Sequence, residues 1–474
     1  MRRLAQQPFY CFLLPAFFVL HGYVQNYGLL PAAEALRLLV LYSVASVVLL
    51  LLVSKLLASH RKAGMLVFLL LGVELFYGAV TDKLHSLAPN LPNSPIVGFA
   101  FVILMVSVGA RWLVRGREPG SIAGFLNLLL LLLLLVDGSG WWKRHSMRDG
   151  EQHGRAWPMV ESRGQRPDVF LVVADEYAGS KQLSDLLHFD NTPFLDSLRS
   201  RGFQVDDNAR SNYNYTEYSV ASLLNGAYFP AASRTNATDV GRCFSWIRAN
   251  ETVRFFQREG YAMHNLSIFD MDAAPSPAPR TWNDQWNDIL RQQTFTQRVY
   301  RALAGPKKDP ATFEEVNNAL LRETDALLTQ KAERPRFVYT HLLLPHSPYF
   351  RDSAGRPTAT ARMQDRFDSS AYVEYLQYGN TVYLRLMDRI LAQSKRPTVI
   401  FFFGDHGFRG LRQKVAQEYY FMNLSAVYAS PGLVKEWPKG AGMVNQFRLL
   451  LNSCFGQNLS MLHDERHFIG EQAH

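Results

Sequence analysis

The chain has 474 residues, 50 Lys and Arg against 41 Asp and Glu, a formal charge of +9 and 48% hydrophobic residues, a length that allows two or three domains. Leu, Val and Phe crowd the first 140 residues and charge and proline the rest, so the average conceals two solvents. Many basic residues flank the apolar segments, and a topological role explains the charge more simply than a nucleic-acid partner, which is not expected. Cys11, Cys243 and Cys454 form no CxxC or Cys/His zinc pattern. That excludes a disulfide-built fold and leaves pairing of Cys243 with Cys454 open.

In chain order, the first elements are membrane spans, each needing ~20 mostly apolar residues. Five segments qualify, at roughly 8–24, 35–57, 64–80, 95–114 and 121–138. The second (VLYSVASVVLLLLV) and fifth (LNLLLLLLLLV) are the clearest. The first carries Pro15 and His21, but no small-residue cleavage site follows it and four more apolar segments do, which argues against a signal peptide. Arg2 and Arg3 precede segment one, Lys55, His60, Arg61 and Lys62 follow segment two, and Arg111, Arg115 and Arg117 follow segment four. The alternate connections are poor in Lys and Arg, with Arg37 just inside segment two and Lys83 beside Asp82. The positive-inside rule then puts the N-terminus in the cytoplasm and everything after about residue 140 outside, with Trp141 and Trp142 as interfacial anchors. Glu74, inside segment three, is either a functional intramembrane carboxylate or a hydrogen-bonding group near a helix end, and the second reading is favoured.

Residues 141–166 are polar and read as a linker between a membrane part, 1–140, and a second domain, 167–474. There the apolar runs PDVFLVVADEY, FVYTHLLL (337–344), TVIFFFGD (398–405) and, more weakly, SAVYAS (425–430) read as buried strands. Helical patterns lie between them, near Phe194, Leu195 and Leu198, at 312–330 and at 370–394. The alternation predicts an α/β domain with a mostly parallel central sheet.

Sites in such sheets form beyond the carboxyl ends of strands. The first strand ends in Asp175-Glu176, the second holds His341 and leads to His346, and the third ends in Gly404-Asp405-His406-Gly407. Singly, these read as a helix cap, a core histidine and a turn. Together, on the strand ends of one sheet, carboxylates and imidazoles are a ligand set for zinc, manganese or magnesium. The remaining segment is ARSNYNYTEYSVASLLNG (209–226), where a short helix is predicted after Thr216 and ends at Asn225-Gly226. At a helix N-terminus the dipole and free N–H groups favour an anion; the plain alternative is that Thr216 only caps the helix.

In order, PDVFLVVADEYAGS, TPFLDSLRSRGF, RSNYNYTEYSVASLLN, FVYTHLLLPHSPYF and FFFGDHGFR resemble the alkaline phosphatase/sulfatase superfamily over roughly 165–455. The likeness is closest to its membrane-anchored branch of lipoteichoic acid synthases, phosphoethanolamine transferases and phosphoglycerol transferases. It implies an alkaline-phosphatase-like fold on a bundle of about five transmembrane helices, in a bacterial cytoplasmic membrane. Thr216 matches the nucleophile at the metal, Asp405 and His406 the Asp-His ligand pair, and Asp175 the first acidic ligand. Glu176 is a further ligand in sulfatases. His341 and His346 match histidines that contact substrate, and Asn380 of YLQYGN is a further substrate candidate. The implied cofactor is a divalent metal, zinc or manganese foremost and magnesium admissible.

One departure separates the branches. Formylglycine sulfatases need Cys or Ser in a C/S-x-P-x-R context, and position 216 is Thr followed by Glu217, Tyr218 and Ser219. Neither Cys243 nor Cys454 has that context. A threonine suits phosphoryl chemistry through a covalent intermediate. The expectation is transfer of a phosphoethanolamine or phosphoglycerol headgroup from a membrane phospholipid to a glycan or lipid acceptor. The alternatives are a phosphate- or sulfate-ester hydrolase, a non-catalytic scaffold, against which the intact residue set argues, and a transporter, for which Glu74 is the only obvious polar group at depth.

Overall fold

The computed structural model describes residues 6–57, 59–87, 102, 104, 107–109, 111, 120–155, 157, 160–162, 164–230, 237–272, 274–278, 288–304, 312–434 and 436–470. The helices that matter here are α1 (Tyr10–Gln25), α2 (Ala32–Leu56), α3 (His60–Leu87), α4 (Gly120–Arg155), α5 (Thr216–Asn225), α6 (Phe295–Ala304), α7 (Phe313–Thr329) and α8 (Ser369–Gln393). The strands are β1 (Asp168–Ala174), β2 (Gln204–Val205), β3 (Ala262–Leu266), β4 (Arg336–Leu342), β5 (Thr398–Gly404) and β6 (Ser425–Ala429). Two compact units form, one of Met1–Arg148 with Asn283–Pro310, the other of Asp149–Trp282 with Ala311–His474.

In the first unit, 32–56, 60–87 and 121–146 are helices long and apolar enough to cross a membrane, and α1 is a shorter apolar helix. The fourth candidate span, 95–114, lies mostly outside the described residues. Helix α4 does not stop near residue 138; it continues to Arg155 through the stretch read as a linker. WWKRHSMRDGEQHGR contains no proline, and Pro158 is the first one after it.

Contacts order the helices. At one end Cys11 Sγ donates to the Gly64 carbonyl (3.2 Å) and Asn127 Nδ2 to the Gln7 carbonyl (2.9 Å). At the other His21 Nδ1 meets Asp137 at 3.1 Å. So α1, α3 and α4 run parallel, and α2 returns between α1 and α3.

The stretch 288–304 belongs to this unit although the strands on either side of it lie in the other. It docks where α2 begins and α3 ends. Arg291 Nη2 pairs with Glu34 (2.7 Å), Arg298 grips Asp82 through both oxygens (2.9 and 2.7 Å), and Leu290 is buried among the helices. Glu74 accepts from the Thr296 N–H (3.1 Å) and hydroxyl (2.5 Å). Its carboxylate thus sits at the N-terminus of α6, where the helix dipole favours an anion. Gly78 permits the approach, since a Cβ there would lie 2.7 Å from Gln293 Cα.

In the second unit the sheet order is β2-β6-β5-β1-β4-β3. Strand β1 is central and parallel to β4 and β5, β3 is parallel to β4, and β6 runs antiparallel to β5. β1, β4 and β5 are buried along their whole length. Val169, Leu171 and Val173 pack into one core, Phe170, Val172 and Ala174 into the other. Burial on both faces is why these strands read as continuous apolar runs. Strands β2 and β3, not expected from sequence, extend the sheet to its edges. The helices expected at 312–330 and 370–394 are α7 and α8, the former started by a Thr312/Glu315 capping box. The three cysteines are buried and none of them is in a disulfide.

Candidate active site

Register brings the site together. Val173 pairs with His341 across β1 and β4, and Ala174 with Gly404 across β1 and β5, so Asp175, His341 and Asp405 emerge side by side. Their ligand atoms lie within 4.8 Å of one another, and all three residues are buried. The two glycines around Asp405-His406 are sterically required: a Cβ would lie 2.4 Å from the Tyr177 carbonyl oxygen at Gly404, and 2.5 Å from that of Tyr419 at Gly407.

Thr216 is the first residue of α5 and its side chain makes no capping bond. Its hydroxyl instead donates to Asp175 Oδ1 (3.3 Å) and lies 3.3 Å from His406 Nε2. His406 Nδ1 faces the Gly407 carbonyl at 2.8 Å. A carbonyl only accepts, so Nδ1 carries the proton and the Nε2 lone pair points at Thr216. Asp405 Oδ1 accepts the N–H groups of Glu176 (2.8 Å) and His406 (2.9 Å).

Two buried polar atoms, Asp405 Oδ2 and His341 Nε2, have no hydrogen-bond partner. Such groups are costly unless something satisfies them. A divalent cation would, and carboxylate with imidazole is the donor set one requires. His341 is oriented from behind by the Tyr339 hydroxyl, 2.8 Å from Nδ1, an outer contact of the kind metal-site histidines use.

Electrostatics follow from burial. Burial, then the carboxylates of Asp405 and Glu176, push the Asp175 carboxyl well above the usual range. Burial works against the Asp405 charge too, but His406, His341 and the Glu176 N–H outweigh it and hold that carboxyl low. Burial lowers His406, and it lowers His341 to about 4. Without metal, an unfolded His341 takes up a proton below the ordinary value of about 6.5, whereas the folded one resists until about 4. We therefore expect stability to be full above pH 6.5 and to fall by about 3 kcal/mol from this residue as pH drops toward 4. Denaturation of chelated protein at pH 7.5 and 4.5, beside His341→Gln, measures it; equal pH slopes for the two would contradict it.

The other expected site residues are placed differently. Glu176, at φ 60°, turns away from the trio: Oε1 accepts the Arg409 N–H (2.8 Å) and Oε2 lies 3.8 Å from His346 Nε2. Left-handed backbone at a bulky residue is held only by strong surroundings. Here the Tyr372 hydroxyl clamps the turn, donating to the Glu176 carbonyl (2.8 Å) and accepting from Ala178 N–H (3.0 Å). His346 is half-buried at the rim. Asn380 joins a buried network, accepting from the Tyr177 hydroxyl (2.5 Å) and donating to Asn191 (2.9 Å), away from the trio. Sequence reasoning gave no role to Tyr339 or to Arg409, whose guanidinium stacks on Tyr215, 4.0 Å from the ring centroid.

The adjacent strand ends of the α/β sheet thus gather two carboxylates and two imidazoles around a helix-terminal threonine. The chain belongs to the sulfatase family, whose model matches residues 167–434, more than half of its length. No curated protein matches it. Among solved structures, the chain is similar in fold to the zinc complex of the C-terminal periplasmic domain of EptC from Escherichia coli (12% identity, 62% of this chain and 84% of that one, TM-score 0.41). It is also similar to the periplasmic domain of the phosphoethanolamine transferase EptC from Campylobacter jejuni (14%, 61% and 89%, TM-score 0.37). A third is an alkaline phosphatase superfamily protein from Vibrio parahaemolyticus (12%, 64% and 75%, TM-score 0.40).

Proposed function

We propose that this protein transfers a phospho-headgroup, phosphoethanolamine or phosphoglycerol, from a membrane phospholipid to a hydroxyl of a glycan or lipid acceptor, by way of phospho-Thr216. The carrying observation is the Thr216 hydroxyl 3.3 Å from both Asp175 Oδ1 and the His406 Nε2 lone pair. Asp175, His341, Asp405 and His406 would hold the metal, which when bound withdraws charge from the hydroxyl and phosphoryl oxygens. Zinc or manganese suits this set best. Glu176 would serve the anion side of the site rather than the metal.

In the first step Thr216 Oγ bonds to phosphorus as the bond to the diacylglycerol oxygen breaks. Asp175, the acceptor of the hydroxyl's hydrogen bond, takes the proton, and the departing oxygen is protonated at the rim, where His346 stands. The acceptor hydroxyl then bonds to phosphorus and gives its proton to the rim group that protonated the diacylglycerol oxygen, while the Thr216 ester bond breaks and Thr216 Oγ takes back the proton held by Asp175. Family membership supports a second reading, ester hydrolysis with water in the acceptor's place. Incubation with labelled phospholipid separates them: label on Thr216 that moves only to an added acceptor supports transfer, and steady release of free headgroup to water without one supports hydrolysis.

We place the catalytic unit on the outer face of a bacterial cytoplasmic membrane. Lys55, His60, Arg61 and Lys62 mark one end of α2 and α3. Glu34, Glu74 and Asp82 at the other end bind residues 291–298, which polar sequence joins to the catalytic half. Tyr300, further along α6, is 55% exposed and all three cysteines are buried. Tyr300→Cys should therefore react with an impermeant maleimide in intact spheroplasts. Labelling only after lysis would reverse the topology.

A further inference from the structure

Arg409 lies three residues beyond His406, with a side chain 24% exposed. Its position is fixed without its donors being spent. The backbone N–H is tied to Glu176 Oε1 (2.8 Å), and the guanidinium stacks on Tyr215 at 4.0 Å. The closest carboxylate oxygen, again Glu176 Oε1, is 3.8 Å from Nε, beyond hydrogen-bond reach, and buried Nε has no partner. Among the described residues the guanidinium donates no hydrogen bond. A guanidinium has five N–H donors in a rigid plane; here Nε is buried without a partner, which is unfavourable, while the side chain keeps 24% exposure through which its other donors can meet a ligand. The arrangement is stable once an oxyanion occupies the fork.

The location says which oxyanion. Tyr215 immediately precedes Thr216, so the stack holds the guanidinium beside the nucleophile and the N-terminus of α5, where the Tyr215 side chain makes no capping bond. Planar forks match two oxygens on one phosphorus, which an ammonium cannot do. We infer that Arg409 binds the non-bridging oxygens of the phosphodiester substrate and of phospho-Thr216, with Tyr215 and Glu176 as the positioning residues that aim it. This rests on the phosphoryl-transfer reading above. It deepens that reading by assigning the anion side of the site to a residue whose role no ligand pattern announces. The class of ligand is a tetrahedral phosphoryl anion, and neutral esters are disfavoured.

The test is calorimetric titration of the zinc-loaded full chain in detergent with inorganic phosphate, beside zinc content and the kcat and KM of transfer. Arg409→Ala should weaken phosphate binding by roughly 100-fold at unchanged zinc content, and Arg409→Lys, which keeps charge but loses the fork, by roughly 10-fold. Tyr215→Leu keeps the guanidinium but not its aim, and should weaken phosphate binding while zinc stays bound. Should Arg409→Ala fail to fold, the Lys and Leu variants carry the test. Wild-type phosphate affinity in these variants, or no phosphate binding by wild type, overturns the clamp. Phosphate binding that depends on Arg409 in a protein whose Thr216 never acquires a headgroup would overturn the transfer reading and leave the clamp standing.

Discussion

Thr216→Ala should lower headgroup transfer by roughly 10⁴-fold or more, since loss of a covalent nucleophile removes the whole two-step route. The fold should tolerate it. The Thr216 side chain caps nothing, the residue is the first of its helix, and Ala is the best helix former. We expect stability within about 1 kcal/mol of wild type. Thr216→Ser retains the hydroxyl and should keep much of the activity, which distinguishes loss of a nucleophile from loss of a shape. Mass spectrometry of wild type incubated with phospholipid should find the headgroup on Thr216 alone. Transfer by the Ala variant at the wild-type rate would end the proposal.

The site was legible where chemistry follows directly on a buried strand. Continuous apolar runs revealed β1, β4 and β5, and the residues after them supplied Asp175, Asp405 and His406. His341 was legible as a site residue but not as a neighbour of Asp175 and Asp405, because that follows from the register of β1 on β4. Strand β3 (AMHNL) was hidden because an edge strand is only half-buried and carries His264 and Asn265 without alternation. The docking of 288–304 on the membrane helices was equally hidden. It joins Arg291 to Glu34, Thr296 to Glu74 and Arg298 to Asp82 across 216 or more positions of sequence. Locally the stretch looks like any amphipathic helix. Glu74 shows the consequence: sequence flagged a costly carboxylate, and only the fold supplied the helix N-terminus that justifies it. Arg409 was invisible for the opposite reason, since its distinction is a missing partner.

The second large effect concerns the strand pair that aligns Asp175 with His341. Asp168 opens β1 and Arg336 opens β4, and their side chains are 2% and 4% exposed. Asp168 Oδ1 accepts the Arg336 N–H (3.0 Å), and Oδ2 accepts from Nε (3.2 Å). Arg336 also donates to the Leu327 carbonyl and lies over the Phe170 ring. Burial pushes the Asp168 carboxyl up, and the Arg336 N–H and charge pull it back. Removing one partner strands the other in a dry core, so Arg336→Ala and Asp168→Ala should each cost about 3–5 kcal/mol. The pair also holds the alignment Val169↔Phe337 that runs on to Val173↔His341. A one-residue slip would turn His341 to the opposite face of the sheet. Zinc affinity should therefore fall with stability in both single variants, though neither residue belongs to the trio of Asp175, His341 and Asp405. The double variant Asp168→Asn/Arg336→Met removes both charges, keeps an Oδ1 acceptor for the residue 336 N–H and nearly keeps the volume, and should recover most of the loss. Denaturation and zinc titration of all four proteins decide the point. Single variants as stable as wild type would show that the backbone ladder alone sets the register. Recovery of stability without recovery of zinc affinity would show that the ion pair, beyond its energy, is what fixes Asp175 against His341.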